Sequence, residues 1–146
     1  MWFGVVKMTE SEFRYKHSEI IEYYQYIEMR LKFICSALLT DSEKDWLERL
    51  VDFDSDPFGK LLNKIKDIQI QKHLEALKED DFTALNEIRE RRNYWIHQCF
   101  SRNDHVIFQR NLLRDTIYGK MIINDLETAM KWDEKLVEVL KDIRRL

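Results

Sequence analysis

Glycine, proline and cysteine are scarce in this chain of 146 residues, which contains three, one and two of them, respectively. So little glycine and proline excludes a collagen-like chain. Two cysteines are too few for a disulfide scaffold, so we expect Cys35 and Cys99 to be buried, reduced thiols. No apolar run approaches the roughly 18 residues of a membrane span, and the opening segment 1–7 is too short for a signal-peptide core. We therefore expect a cytoplasmic protein that does not enter a membrane.

The composition is that of a folded domain, with 45% hydrophobic and 35% charged residues. A chain of this length can bury roughly 70% of the surface that its unfolded form exposes, which is enough for a core without disulfides or structural metal. Nothing in the sequence divides the chain, so we expect a single domain over 1–146. Residues 1–8 are expected to form either an edge strand or a disordered leader.

The charge is unevenly distributed along the chain. The formal net charge of −3 argues against a protein that is basic throughout, as many nucleic-acid binders are. Segment 85–120, however, contains seven basic and four acidic residues, and its local charge of +3 leaves −6 for the rest of the chain. The excess of basic residues is therefore local to this segment.

Apolar residues spaced four and three apart predict α-helices through most of the chain. The longest such run, from Phe13 to Leu38, predicts one helix over about 9–39. Thr40 and Glu43 have the spacing of a capping box and predict a short second helix. Its buried side is expected to comprise Trp46, Leu47, Leu50 and Val51.

Two breaks separate the later helices. The first, at 52–57, ends at Pro57, which suits the first turn of a third helix. The second, at 78–83, precedes a helix predicted over about 82–101, and a final helix is predicted over about 116–145. The pattern leaves 106–114 open between helix, loop and short strand. Because strand signals are almost absent, the sequence predicts an all-α fold, an antiparallel bundle of about five helices.

An arginine occupies an apolar position on the helix predicted over 82–101. The apolar stripe of this helix comprises Leu85, Ile88, Trp95 and Cys99, and its spacing places Arg92 on the same side. A guanidinium keeps its charge and is costly to bury without a partner. We therefore expect Arg92 to meet an anion, or to lie at a cleft or subunit boundary that stays wet.

A polar stripe lies beside the apolar one. Asn93 and His97 are four residues apart and face the same way, so the amide can orient the imidazole. Arg92 and His97 are five residues apart, which is about 140° around an ideal helix. A dimer in which two copies of this helix cross would bring both pairs into one groove. Histidine can transfer protons at a ribose hydroxyl and a leaving oxygen, and arginine can neutralise charge on phosphorus, so the pair suits phosphodiester cleavage without metal.

Arg92, Asn93 and His97 form an arginine-polar-x3-histidine pattern that resembles the motif of the HEPN domain superfamily. This resemblance implies an all-helical homodimer that cleaves RNA without metal or another cofactor, such as a ribonuclease toxin or an antiphage effector. It implies that Arg92 and His97 are catalytic and that Asn93 supports them. Around this motif, the residues expected to contact RNA are Arg89, Arg91, Tyr94 and Arg102.

Two alternatives stay open on the sequence. The chain can be a non-catalytic helical module that binds a protein partner, such as an antitoxin or a nucleotidyltransferase, with Arg92 as an interface anchor. It can also be a purely structural bundle in which Arg92 forms an internal salt bridge. Zinc-ligand spacings, phosphate-binding loops and serine-hydrolase elbows are missing from the sequence, so no metal or cofactor site is expected.

Overall fold

The computed structural model describes residues 8–39, 45–98 and 117–144, which form five α-helices and no strand. The helices are α1 (Glu10–Leu38), α2 (Trp46–Phe53), α3 (Phe58–Lys72), α4 (Glu79–Asn93) and α5 (Ile117–Arg144). A π-helical turn, Tyr94–Gln98, continues α4. The predicted all-α bundle of about five helices is confirmed. The expectations for the leader, the Thr40–Glu43 capping box, Cys99, Arg102 and 106–114 lie outside the described residues.

Contacts between helices show how the bundle is arranged. The start of α4 contacts the later part of α5 through Asp81 and Lys135. The end of α4 contacts the earlier part of α5 through Arg91 and Asp125. These two helices are therefore antiparallel. Helix α4 is antiparallel to α3 as well. Gly59 at the start of α3 lies against Arg89 near the end of α4, and Lys66 in the second half of α3 pairs with Glu79 at the start of α4. Helices α1 and α5, however, run in the same direction, each with its C-terminal end beside α2, so the predicted antiparallel arrangement is wrong for this pair.

Helix α1 matches its predicted range to within one residue at each end, and the described part of α5 lies within its predicted range. Thr9 caps α1 because its hydroxyl accepts a hydrogen bond from the backbone N–H of Glu12 at 3.1 Å. The apolar residues of α1 at the four-and-three spacing are buried against α3 and α5. None of the described helices is both long and apolar enough to cross a membrane.

Helix α2 differs from its prediction. It is capped by Asp45, whose carboxylate accepts from the backbone N–H of Glu48 at 2.9 Å. The side of α2 that faces α1 carries Arg49, whose Nε donates to the Ser36 carbonyl at 2.9 Å. Leu47 and Val51, expected to be buried, are therefore turned to solvent and are 69% and 72% exposed. Phe53 is buried in their place.

Helix α4 begins three residues earlier than predicted, at Glu79. The Asp81 carboxylate accepts from the backbone N–H of Lys78 at 2.9 Å, as the third residue of a capping box does. Three consecutive acidic residues in the first turn also complement the positive end of the helix dipole. The turn before α4 is held by Gln69, whose side-chain amide makes two hydrogen bonds with the backbone of Leu77.

Candidate functional site

The π turn that follows α4 is held by side chains from two other helices. Trp95 is fully buried, and its Nε1 donates to Asp125 Oδ2 on α5 at 2.7 Å. His17 Nε2 on α1 donates to the Trp95 carbonyl at 2.7 Å. A side chain that takes a carbonyl out of the helical hydrogen-bond ladder distorts the helix at that point. These contacts hold the π turn against α1 and α5.

The π turn affects the angle around the helix axis between Arg92 and His97. In a π turn the backbone hydrogen bond links residues five apart, which brings such residues toward the same face of the helix. The turn starts two residues after Arg92 and includes His97, so the angle between them is smaller than the 140° expected for an ideal α-helix. His97 itself is exposed.

Arg92 forms an ion pair within the chain. Its Nη2 donates to Glu28 Oε2 on α1 at 3.3 Å. The two side chains are 25% and 20% exposed, so the pair lies at the edge of the bundle and not in its interior. The arginine on the apolar stripe therefore has an anionic partner and also keeps contact with solvent.

Arg91 and Tyr94, both expected to contact RNA, are engaged in contacts inside the bundle. Arg91 Nε donates to Asp125 Oδ2 at 2.7 Å, and its guanidinium lies 5.5 Å from the centre of the Tyr94 ring. Tyr94 also contacts Trp95 edge-on at 4.9 Å between ring centres. Asp125 further acts on Tyr24, whose pKa is raised by burial and, to a lesser extent, by this carboxylate.

A groove of about 520 Å³ separates the first turns of α3 from the second half of α4. Its cationic lining residues are Lys60, Arg89 and Arg92, and its amide side chains are Asn63, Asn86 and Asn93. No aspartate or glutamate is among the residues that line it in the described part of the chain. We call this the α3–α4 groove. It brings together Arg89, Arg92 and Asn93, while His97 is not part of its lining.

Arg89 lies against α3 at the bottom of this groove. A Cβ atom placed on Gly59 would be 3.1 Å from Arg89 Nη1, so a larger residue there would require the guanidinium to shift by a few tenths of an ångström. Arg89 Nε is shielded from solvent and has no hydrogen-bond acceptor among the described residues. Sequence reasoning missed the α3 side of the groove. A glycine inside a predicted helix was the available signal, because glycine there costs about 1 kcal/mol relative to alanine and often marks a close approach.

The described residues contain no group of three or more His, Cys, Asp or Glu side chains that could hold a metal ion. Comparison of the chain with protein-family models, curated proteins and solved structures finds no match. The arguments about function therefore depend on the geometry of α4, the π turn and the α3–α4 groove.

Proposed function

We propose that this chain is a metal-independent endoribonuclease of the HEPN type that acts as a homodimer. One observation carries the proposal: an exposed histidine on a π turn follows Arg92 and Asn93, and these two residues line a groove whose charged lining residues are all cationic. Exposure leaves the imidazole accessible to substrate. The cationic side chains of the groove attract the negatively charged phosphates of RNA.

The reaction that suits these residues is transesterification within the RNA. His97 takes the proton of a ribose 2′-hydroxyl, and the 2′-oxygen forms a bond to the adjacent phosphorus. The bond between phosphorus and the 5′-oxygen breaks, and the partner's His97, in its protonated form, gives that oxygen a proton. The products are a 2′,3′-cyclic phosphate and a 5′-hydroxyl. Arg92 neutralises the negative charge that develops on the phosphorus oxygens.

For this role Arg92 must exchange its carboxylate partner for a phosphate. Its pair with Glu28 is a single hydrogen bond of 3.3 Å at a partly exposed site. Partly exposed ion pairs contribute at most about 1 kcal/mol, and a phosphate offers the same guanidinium two oxygens in a bidentate arrangement. The exchange is therefore affordable, and Glu28 holds the guanidinium in place before substrate binds.

The test is cleavage of RNA in EDTA by the full chain, with product ends identified as cyclic phosphates. His97→Ala should abolish cleavage and leave the helical circular dichroism unchanged, because the side chain is exposed. The matched control is His73→Asn: His73 has a left-handed backbone with φ of 54°, which asparagine tolerates. Cleavage that persists in His97→Ala, or that disappears equally in His73→Asn, would contradict the proposal.

The ion pair between Arg92 and Glu28 is the contact expected of a purely structural bundle, and it also suits a second candidate function, a non-catalytic module that binds a protein partner such as an antitoxin or a nucleotidyltransferase. An arginine already neutralised in its own chain can serve as a positioned interface anchor. In that case expression is harmless to cells, and Arg92→Ala weakens partner association without any change in RNA. A toxic wild type that Arg92→Ala makes harmless would favour the nuclease.

A further inference from the structure

We propose that the α3–α4 groove binds a phosphate group, which Arg89 and the first turn of α3 hold together. This site is separate from the proton-transfer chemistry at His97. It deepens the proposed function, on which the choice of an RNA backbone as the source of that phosphate rests.

The groove carries more positive charge than the acidic residues around it neutralise. Lys60 has a carboxylate partner, Asp56, at 3.3 Å, and Arg92 has Glu28. Arg89 has no acidic partner among the described residues. Since the groove lining carries no carboxylate of its own, the groove has a surplus of positive charge that an anion can compensate.

A second argument is the state of the Arg89 side chain. A guanidinium stays protonated at every physiological pH, and a buried donor without an acceptor is uncommon in folded proteins and costs stability. Arg89 Nε is such a donor among the described residues. Gly59 removes the only side-chain atom that would keep the guanidinium away from α3. Because Nε is shielded from solvent, a ligand in the groove would offset the charge of Arg89 through the rest of its guanidinium.

A third argument is the backbone that Arg89 contacts. Helix α3 starts after Pro57 without a side-chain cap, and its first turn contains no acidic residue. The first N–H groups of a helix have no partner inside the helix and form, with the helix dipole, a favourable environment for an anion. These groups lie beside the Arg89 guanidinium, which contacts Gly59 in the same turn.

The chemistry of the ligand follows from this donor set. Arginine offers a planar pair of donors that matches two phosphate oxygens, and the backbone amides and Asn63 can reach the others. A groove of about 520 Å³ is within the roughly 300 to 1,000 Å³ typical of small-ligand sites. The ligand is therefore a phosphate group, with one nucleotide as the unit that fits.

The experiment measures binding without cleavage. A fluorescent 2′-O-methyl oligonucleotide has no 2′-hydroxyl to attack phosphorus, so its anisotropy reports binding to the full chain. Arg89→Met should weaken binding about tenfold or more. It should also reduce the slope of log affinity against log salt by about 0.7, the amount expected for one lost contact to a single strand.

Gly59→Ala provides a second variant that removes no charge. The added methyl group displaces the guanidinium, so binding should weaken severalfold while the fold is retained. The matched control is Arg14→Met, which removes an exposed arginine of α1 that pairs with Glu10, and it should change affinity less than twofold. Oligonucleotide binding that is the same in Arg89→Met, Gly59→Ala and the wild type would overturn the proposal, and so would the absence of binding by the wild type.

A titration with inorganic phosphate separates the two sources of the ligand. Competition at millimolar phosphate, lost in Arg89→Met, supports a site for free phosphate or a phosphate monoester, whereas binding of the oligonucleotide alone supports a backbone site. The ribonuclease proposal is tested independently. If the oligonucleotide binds through Arg89 but RNA is not cleaved, the phosphate site is supported and the nuclease proposal is contradicted. If RNA is cleaved and Arg89→Met binds the oligonucleotide as tightly as the wild type, the nuclease is supported and the phosphate site is contradicted.

Discussion

Two regions along α4 and its π turn differ in whether their charged side chains have partners of opposite charge. Around Trp95, the Asp125 carboxylate accepts hydrogen bonds from both Arg91 and the indole, and His17 donates to the Trp95 carbonyl. In the α3–α4 groove, two residues earlier than Arg91, Arg89 has no acidic partner among the described residues. Charge that is matched inside the chain holds the helices together, and charge left unmatched is available to a ligand.

The largest effect is expected at Asp125. Asp125→Ala removes two charge-assisted hydrogen bonds and leaves the buried indole N–H without an acceptor, which should lower the free energy of unfolding by about 3 kcal/mol. Urea denaturation followed by circular dichroism measures this loss. Glu127→Ala is the control, because Glu127 is an exposed acid on the same helix and should change stability by less than about 0.5 kcal/mol. Equal effects in the two variants would remove the distinction between the regions.

Matched carboxylates should also make the fold sensitive to acid. Although burial raises the pKa of Asp81, hydrogen bonds from Lys135 and the Lys78 backbone outweigh it and hold that pKa below its usual value. A lowered pKa in the folded state stabilises the protein above the unfolded value of about 3.9, and this contribution disappears as the pH falls through the folded value.

The control for this acid sensitivity is Lys135→Met, which removes the amine that donates to Asp81. Wild type should be the more stable of the two in urea at pH 6, and the difference should shrink steadily below about pH 4. A difference that is the same at pH 6 and pH 3 would show that Lys135 stabilises α4 by packing alone, since its amine also lies over the Trp132 ring.

The sequence predicts the long helices well and the site only in part. Helices α1 and α5 carry regular apolar spacing over many turns, and the described part of each accordingly lies within its predicted range. Helix α2 is short, and the contacts that hold it, through Trp46, Arg49 and Phe53, do not follow its apolar pattern at Leu47 and Val51. Local spacing is informative where many residues agree and weak where a few tertiary contacts can outweigh it.

The site depends on partners that are distant in the sequence. Arg92 was recognised as an arginine on an apolar stripe, but its partner Glu28 is 64 residues away. The π turn is contacted by His17 and Asp125, from two other helices, and α-helical spacing does not predict such a turn between Arg92 and His97. The groove needs α3 to pass beside α4, and only Gly59 hinted at this approach.

A variant of intermediate effect tests whether the Arg92 pair belongs to the fold or to ligand binding. Glu28→Gln removes the negative charge beside Arg92, and because the pair is partly exposed the loss of stability should be at most about 1 kcal/mol. If Arg92 contacts phosphate, affinity for the 2′-O-methyl oligonucleotide should rise severalfold, since the carboxylate no longer competes. Lower stability with unchanged affinity would assign the pair to structure. Glu22→Gln, another change to an acid on α1, controls for the altered net charge.

Gly59→Ala is expected to change stability least, but it discriminates best, because one added methyl group should affect stability and oligonucleotide affinity in opposite directions. In most helix interiors Gly→Ala stabilises a protein by about 0.5 to 1 kcal/mol. At Gly59 the new methyl group would meet the far end of the Arg89 side chain, 3.1 Å away, and that flexible group can move aside. Gly59 lies in the first turn of α3, where the gain is smaller than in a helix interior, so Gly59→Ala should raise the free energy of unfolding by less than about 0.5 kcal/mol while it weakens oligonucleotide binding. Thermal denaturation and anisotropy measured on the same preparation check both signs, and a gain in stability with full affinity would show that Arg89 need not lie on α3 to hold its ligand.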